Sequence, residues 1–258
     1  MDIVEYDDKI YGLKFRTINE MNENLKQGLL FYHNYMLTTD QKIADMKKTL
    51  FTWGIDPQQV AIQLMEEGEK MLERALSISG WMTPRELTWL SEQAKKHERI
   101  VEVGSFMGRS TVALAETSGV VYAVDTFKGS EEHKNLLSGK PDDFLLGKFK
   151  NNLAGEISAS KVYIIQAESC EAADILKGTE PDMVFIDAAH DYDSVKADIR
   201  AWLKVIVGGG LLCGYDYGNG TSLGLEKAVW EMVPGFKVME HGSIWYAETP
   251  LNASAATA

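Results

Sequence analysis

Three side chains near the ends of two apolar runs are of types that do chemistry together. In "MVFIDAAHDYDSV" Asp187 closes an apolar run and His190 stands three places on; in "GLLCGYDYGN" Asp216 follows a second run. If both runs are strands of one parallel sheet, both aspartates reach the same carboxyl rim. Two carboxylates converging there repel each other unless a proton or a cation lies between them. Hard oxygen donors suit Mg²⁺ or Ca²⁺, so Asp187 and Asp216 are candidate metal ligands, with Asn219 or His190 as a third. His190 is equally a candidate catalytic base. An imidazole titrates at about 6.5 and takes a proton from a hydroxyl at neutral pH. Asp187 or Asp191 would orient it.

A second constellation lies upstream, in "IVEVGSFMGRSTVALAETSGVVYAVDTF". Gly104 ends an apolar run, and glycine there lets a ligand approach the backbone. Gly108 opens the next turn, and Ser110 is expected to cap the helix that follows. The spacing is G-x-x-x-G. A dinucleotide pyrophosphate needs a glycine two places after the first, and here that place holds Phe106. There is no G-K-[ST] either, so the loop suits a ligand without phosphates. Glu102, just before Gly104, would repel a pyrophosphate and pair with an ammonium group. Asp125 ends the next run, 21 residues after Gly104, where an acid accepts both ribose hydroxyls. Ribose without phosphate, joined to a cationic amino-acid end, describes S-adenosylmethionine.

Positioning these residues requires strands that end in acids and helices that return the chain. From about Thr83 the sequence supplies them. "TPRELTWLSEQAKK" is a helix with Thr83 as N-cap, Pro84 at the first position and Glu86 completing a capping box. The runs "IVEVG", "VVYAVD", "KVYIIQA", "MVFIDA", "GLLCGYD", "FKVMEH" and "SIWYAE" then alternate with amphipathic segments. That alternation predicts an α/β, Rossmann-like, seven-stranded and mostly parallel sheet covered on both faces. Only "HG" or "HGS" separates the last two runs, so the final strand is expected antiparallel to its neighbour. Residues 81–250 would form this domain. Residues 1–80, rich in Met, Lys, Glu, Gln and Asn, read as a helical N-terminal extension serving as a lid or in dimerisation. The small, polar tail 251–258 is expected to be flexible.

Composition narrows the partners. Of 258 residues 45% are hydrophobic, enough for a substantial core, and the formal net charge is −12. An acidic chain without a basic patch disfavours nucleic acid and anionic membrane, and favours a small-molecule partner. No run of about 18 apolar residues is present, and the acidic N-terminus lacks the pattern of a signal peptide. The two cysteines, Cys170 and Cys213, each neighbour an expected strand and read as small buried hydrophobes, which suits a reducing cytoplasm.

Together, "WMTPRELTWLSEQAKKHERIVEVGSFMGRSTVALA", "VYAVDTF", "MVFIDAAHDYDSVKADIRAWL" and "GGGLLCGYDY" resemble the class I S-adenosylmethionine-dependent methyltransferases. The likeness is to the small-molecule O-methyltransferase branch with a D-x-x-H-x-Y segment, and it covers about residues 80 to 248. It implies that Glu102, Gly104, Ser105 and Gly108 line the methionine portion. Asp125 would hold the ribose with Thr126 and Phe127 beside it, and Glu168 and Ser169 would meet adenine; Ser169 also reads as a helix N-cap. The cofactor set is completed by Ser110 and Asp187. In catechol-type relatives a divalent metal at the positions of Asp187 and Asp216 lowers the pKa of the acceptor hydroxyl. Those relatives carry Asn or Asp after the second aspartate, where this chain has Tyr217, and a histidine often precedes it, where this chain has Tyr215. The function expected is O-methylation of a sugar, phenol or natural-product intermediate. The alternatives are a cofactor-binding protein without catalysis and an NAD-dependent oxidoreductase, which Phe106 and the missing G-x-G disfavour.

Overall fold

The computed structural model describes residues 68–129 and 137–250. The chain divides into two units, Met1–Glu73 and Arg74–Ala258. Residues 68–73 of the first unit are helical; the rest of the expected extension up to residue 67 lies outside the described residues, as does the tail 251–258.

In the second unit, helices and strands alternate from Thr83 onward. The order is α1 (Pro84–Ala94), β1 (Arg99–Val103), α2 (Arg109–Leu114), β2 (Val120–Val124), α3 (Phe144–Asn152), α4 (Ala154–Ser158) and β3 (Val162–Ile165), then α5 (Ser169–Ile175), β4 (Met183–Ile186), α6 (Tyr192–Trp202), β5 (Leu211–Gly214), α7 (Leu223–Met232), β6 (Lys237–Val238) and β7 (Trp245–Glu248). The seven strands lie in the order β3-β2-β1-β4-β5-β7-β6. All neighbours from β3 to β5 are parallel, and β7 runs antiparallel to both β5 and β6. The sheet is the α/β, Rossmann-like sheet expected, with its reversed final strand.

Burial on both faces explains why the strands read as unbroken apolar runs. Val101, Val103, Val124, Val184, Ile186 and Leu212 join one core with Ala172 of α5 and Leu176 at its C-cap, Ile199 and Trp202 of α6, and Leu225 and Val229 of α7. The alternate residues Ile100, Ala123, Met183, Phe185 and Cys213 are buried as well.

The caps follow the sequence closely. Thr83 Oγ1 accepts from Glu86 N, and the Glu86 carboxylate takes the Thr83 N–H at 2.8 Å, a complete capping box before Pro84. Asp191 caps α6 by accepting from Ser194 N at 3.0 Å. Ser110 caps nothing: the N-cap of α2 is Gly108, with no side-chain bond. At α5 the N-cap is Glu168, and Ser169 is the first helical residue. Cys213 is buried in β5, but Cys170 is exposed, because β3 ends at Ile165 and Cys170 falls in the first turn of α5. Among the described residues no helix is long and apolar enough to cross a membrane.

Candidate active site

The strand order reverses between β1 and β4, and the carboxyl ends of β1, β2, β4 and β5 share one rim. Such a switch point is where open α/β sheets bind ligands. A cavity of about 830 Å³ opens there.

Gly104, at the end of β1, has φ +90°, and a Cβ on it would lie 1.8 Å from the Asp187 carbonyl oxygen. The glycine is required by the neighbouring strand rather than by a ligand. Gly108, at φ +94°, is likewise confined by Leu153, 2.3 Å from a Cβ there. The loop between them is strained, since Phe106 has φ 47°, a region bulky residues avoid. The Asp125 carboxylate compensates. Oδ2 accepts from Phe106 N at 2.8 Å, and Oδ1 accepts from Phe127 N, itself at φ 55°, at 2.6 Å. One side chain at the end of β2 therefore holds both loops that frame the cavity.

Glu102 does not reach the cavity wall. It is fully buried, its oxygens accepting from Ser110 Oγ and Thr111 Oγ1, each at 2.5 Å. Burial pushes its carboxyl up to about 6, and the hydroxyls oppose that shift. Its expected pairing with a ligand ammonium is replaced by a bond to the next helix, because alternate residues of β1 face opposite layers. Of the other sequence-derived positions, Gly104, Ser105, Ser110, Asp125, Thr126, Glu168, Ser169, Asp187, His190 and Asp216 line the cavity. Gly108 and Phe127 do not; the Phe127 ring packs on Phe149 at 5.2 Å.

At the β4–β5 side the three chemically capable residues come together. Ligand atoms of Asp187, His190 and Asp216 lie within 4.8 Å of one another. His190 Nε2 is 2.9 Å from Asp216 Oδ2, so Asp216, which the sequence reading gave only as a metal ligand, is a carboxylate that can orient the imidazole. Asp216 also accepts from Asn219 Nδ2 at 3.0 Å and sits at φ 63°. The Asn219 carbonyl oxygen is occupied by Thr221 N and Ser222 N, so Asn219 shapes the loop rather than adding a ligand. Burial, then the charge of Asp216, pushes the Asp187 carboxyl up to about 8.

Several lining residues escaped the sequence reading. The Trp81 ring packs against Phe106 in a tilted arrangement, centroids 5.3 Å apart. Arg109 donates from Nε to Ile78 O at 2.7 Å and from Nη1 to Met82 O at 3.1 Å, fixing the segment that carries Trp81 against α2. The Tyr215 hydroxyl donates to Glu86 Oε2 at 3.1 Å, while Glu86 Oε1 accepts from Ser243 N at 2.9 Å. The only sequence signals were an arginine directly after Gly108 and the capping box itself. Asp198, on the inner face of α6, also lines the cavity. Five carboxylates, Asp125, Glu168, Asp187, Asp198 and Asp216, thus face one guanidinium and one imidazole among the described lining residues.

Comparison with known proteins agrees with this geometry. Residues 101–217 match a family model described as a methyltransferase domain. Cofactor-bound Rv0187 from MTB shares the fold at TM-score 0.52 and 18% identity, over 81% of this chain and 96% of that one. SAH-bound methyltransferase PaMTH1 from Podospora anserina is 14% identical at TM-score 0.50, over 73% and 94%. A candidate caffeoyl-CoA O-methyltransferase from Staphylococcus aureus is 16% identical at TM-score 0.50, over 74% and 98%. The chain carries a match to a methyltransferase domain over residues 101–217, and its fold is the one these solved structures share.

Proposed function

We propose that the enzyme methylates a hydroxyl group on a small molecule, with His190 as the base that takes the hydroxyl proton. The observation that carries this reading is the cavity's charge. With Asp187 holding its proton at neutral pH, the four other carboxylates still outnumber one guanidinium and one imidazole, which favours a cationic ligand and opposes a pyrophosphate. S-adenosylmethionine, with its sulfonium and ammonium groups, fits such a wall, and NAD does not. In this reading Asp125 accepts the ribose hydroxyls and Arg109 faces the methionine carboxylate; both line the cavity. When bound, the cofactor supplies an electrophilic methyl group on sulfur.

The chain's own part is orientation and proton removal. With the Nε2 hydrogen of His190 directed to Asp216, Nδ1 is the nitrogen that accepts the hydroxyl proton. Asp216 then stabilises the imidazolium, and Asn219 holds Asp216 in place. The acceptor oxygen, freed of its proton by His190, would be the nucleophile for the methyl group the cofactor supplies. The likeness to the Staphylococcus aureus fold neighbour supports oxygen as the atom methylated.

The compact trio of Asp187, His190 and Asp216 favours a second reading, in which these residues bind a divalent metal that acidifies the acceptor hydroxyl. Its imidazole suits Mn²⁺, Fe²⁺ or Zn²⁺ better than Mg²⁺, which prefers an all-oxygen shell. Calorimetry with S-adenosylmethionine and S-adenosylhomocysteine, with NADH as control, tests the cofactor; binding of NADH alone refutes it. Turnover in EDTA separates the two catalytic readings. Activity that survives EDTA and falls about 10²-fold in His190→Ala supports the base. Activity abolished by EDTA and restored by Mn²⁺ replaces it with the metal.

A further inference from the structure

Beyond Asp125 the cavity continues into a cleft between the first turn of α5 and the inner face of α6. Ser169 and Cys170 stand on one side, and Ser194, Ala197 and Asp198 on the other. Asp198 is only 6% exposed, whereas Glu168 at the same cleft is exposed. A buried acid needs partners. Trp202 Nε1 donates to Ser169 Oγ at 3.0 Å, and the Ser169 hydroxyl in turn stabilises the Asp198 carboxylate. That chain orients Asp198 from behind. A hydroxyl has a single proton, so it satisfies one of the four lone-pair sites of the carboxylate.

We propose that Asp198 reads the purine of the bound cofactor, its carboxylate accepting a hydrogen bond from the exocyclic amino group of adenine. The inference rests on the S-adenosylmethionine reading above. With the ribose at Asp125 and the methionine end at the Gly104 loop, the base is directed away from β1, toward the ends of β2 and β3 and the start of α5. Asp198 lies there. An ionised carboxylate only accepts, and adenine presents two N–H donors. Hypoxanthine presents a carbonyl oxygen in the same place, which would meet the carboxylate lone pair to lone pair. Sites built around a buried polar group reject an analogue that leaves the group unpaired far more strongly than an apolar pocket rejects a change of size. Burial pushes the Asp198 carboxyl up to about 6, opposed by Ser169, so at neutral pH the accepting form prevails.

The test is calorimetry of the full chain with S-adenosylhomocysteine and its inosine analogue. Wild type should prefer the adenosine form by about 100-fold, on the scale of an unpaired buried polar contact. Asp198→Asn, whose amide can turn its NH₂ toward the carbonyl, should narrow that ratio at least tenfold. A purely structural role would weaken both ligands alike and leave the ratio unchanged, which overturns the proposal. If Asp198→Asn does not fold, Ser169→Ala releases the carboxylate and should also narrow the ratio; an unchanged ratio there refutes it equally. Equal binding of both nucleosides by wild type refutes the role of Asp198 alone. Binding of neither refutes the cofactor reading as well.

Discussion

Gly104→Ala separates what the first loop does for the sheet from what it does for a ligand. Gly104 N–H donates to Val124 O, and Asp187 N–H donates to Val103 O, both at 2.8 Å, so the loop is clamped between β2 and β4. A methyl group at φ +90° would lie 1.8 Å from the Asp187 carbonyl oxygen and 2.6 Å from its carbon. Restoring van der Waals separation requires the two chain segments to part by about 1.5 Å. The left-handed backbone costs a side chain about 1–2 kcal/mol, and overpacking adds about 1–3 kcal/mol. The total, about 2–5 kcal/mol, is a large share of a typical domain's stability. At about 2–4 °C per kcal/mol for a domain of this size, the melting temperature should fall by about 5–20 °C. Gly139→Ala is the control, because Gly139 has φ +71° and nothing within 4 Å of its Cβ position. It should lose only the conformational part, about 1–2 kcal/mol. The displaced Asp187 adds a second signature. Asp187 lies within 4.8 Å of the proposed base His190, and a shift of about 1 Å at a reacting centre costs about 10²-fold in rate, so single-turnover rates should drop at temperatures where the variant is folded. Equal destabilisation by Gly104→Ala and Gly139→Ala in differential scanning calorimetry would refute the reasoning.

Two further outcomes are expected. The Asp187 carboxyl titrates at about 8 when folded, against about 4 in an unfolded chain, so between those values the folded state holds the extra proton and metal-free stability falls as pH rises, by at most about 1.4 kcal/mol per pH unit. Asp187→Asn should flatten that slope in urea titrations with EDTA at pH 6, 7 and 8, and an unchanged slope would place the group in an ordinary carboxylate environment. Tyr215→Phe removes the hydroxyl that donates to buried Glu86, leaving Thr83 and Ser243 as its donors, and should cost about 1.5–3 kcal/mol in chemical denaturation; a loss under about 0.5 kcal/mol, the scale of an ordinary surface change, would mean the bond is not formed in solution.

The strands were legible because parallel strands buried on both faces leave continuous apolar runs, as in β1, β4 and β5, while β2 and the edge strand β3 keep mostly apolar runs with Tyr163 exposed. The reversed final strand was legible from a short turn, which the structure builds with Met239 N donating to Ile244 O at 2.8 Å and His241 at φ 56°. β6 shrinks to Lys237–Val238, as expected of an edge strand with one partner. The acids at strand ends were legible because their place in the fold follows from strand direction alone. The roles of Glu102 and Gly104 were not, because each depends on what the next layer or strand presents: Ser110 and Thr111 in one case, the Asp187 carbonyl in the other. Asp198 and Trp81 were hidden for the same reason. Asp198 meets Ser169 only after a crossover places α5 against α6, and Trp81 reaches Phe106 only because Arg109 ties residues 78–82 to α2.

Asp125 shows why shape and recognition are hard to separate in this cavity. Its carboxylate accepts from Phe106 N and Phe127 N, and both residues hold the left-handed backbone that aromatic side chains avoid. Each such residue carries about 1–3 kcal/mol of strain, which persists only where the surroundings over-determine it. Here a charged acceptor, whose bonds are about twice as strong as neutral ones, does so from the end of β2. In the proposed binding mode the same carboxylate accepts the ribose hydroxyls. A ligand drawing on Asp125 therefore pulls on the group that sets the curvature of both framing loops, and with them the placing of Trp81 and Phe106 on the wall. Loss of Asp125 would alter loop geometry and cofactor affinity together, so its contribution to recognition is best read from substitutions at Asp198 and His190, whose bonds do not hold these loops.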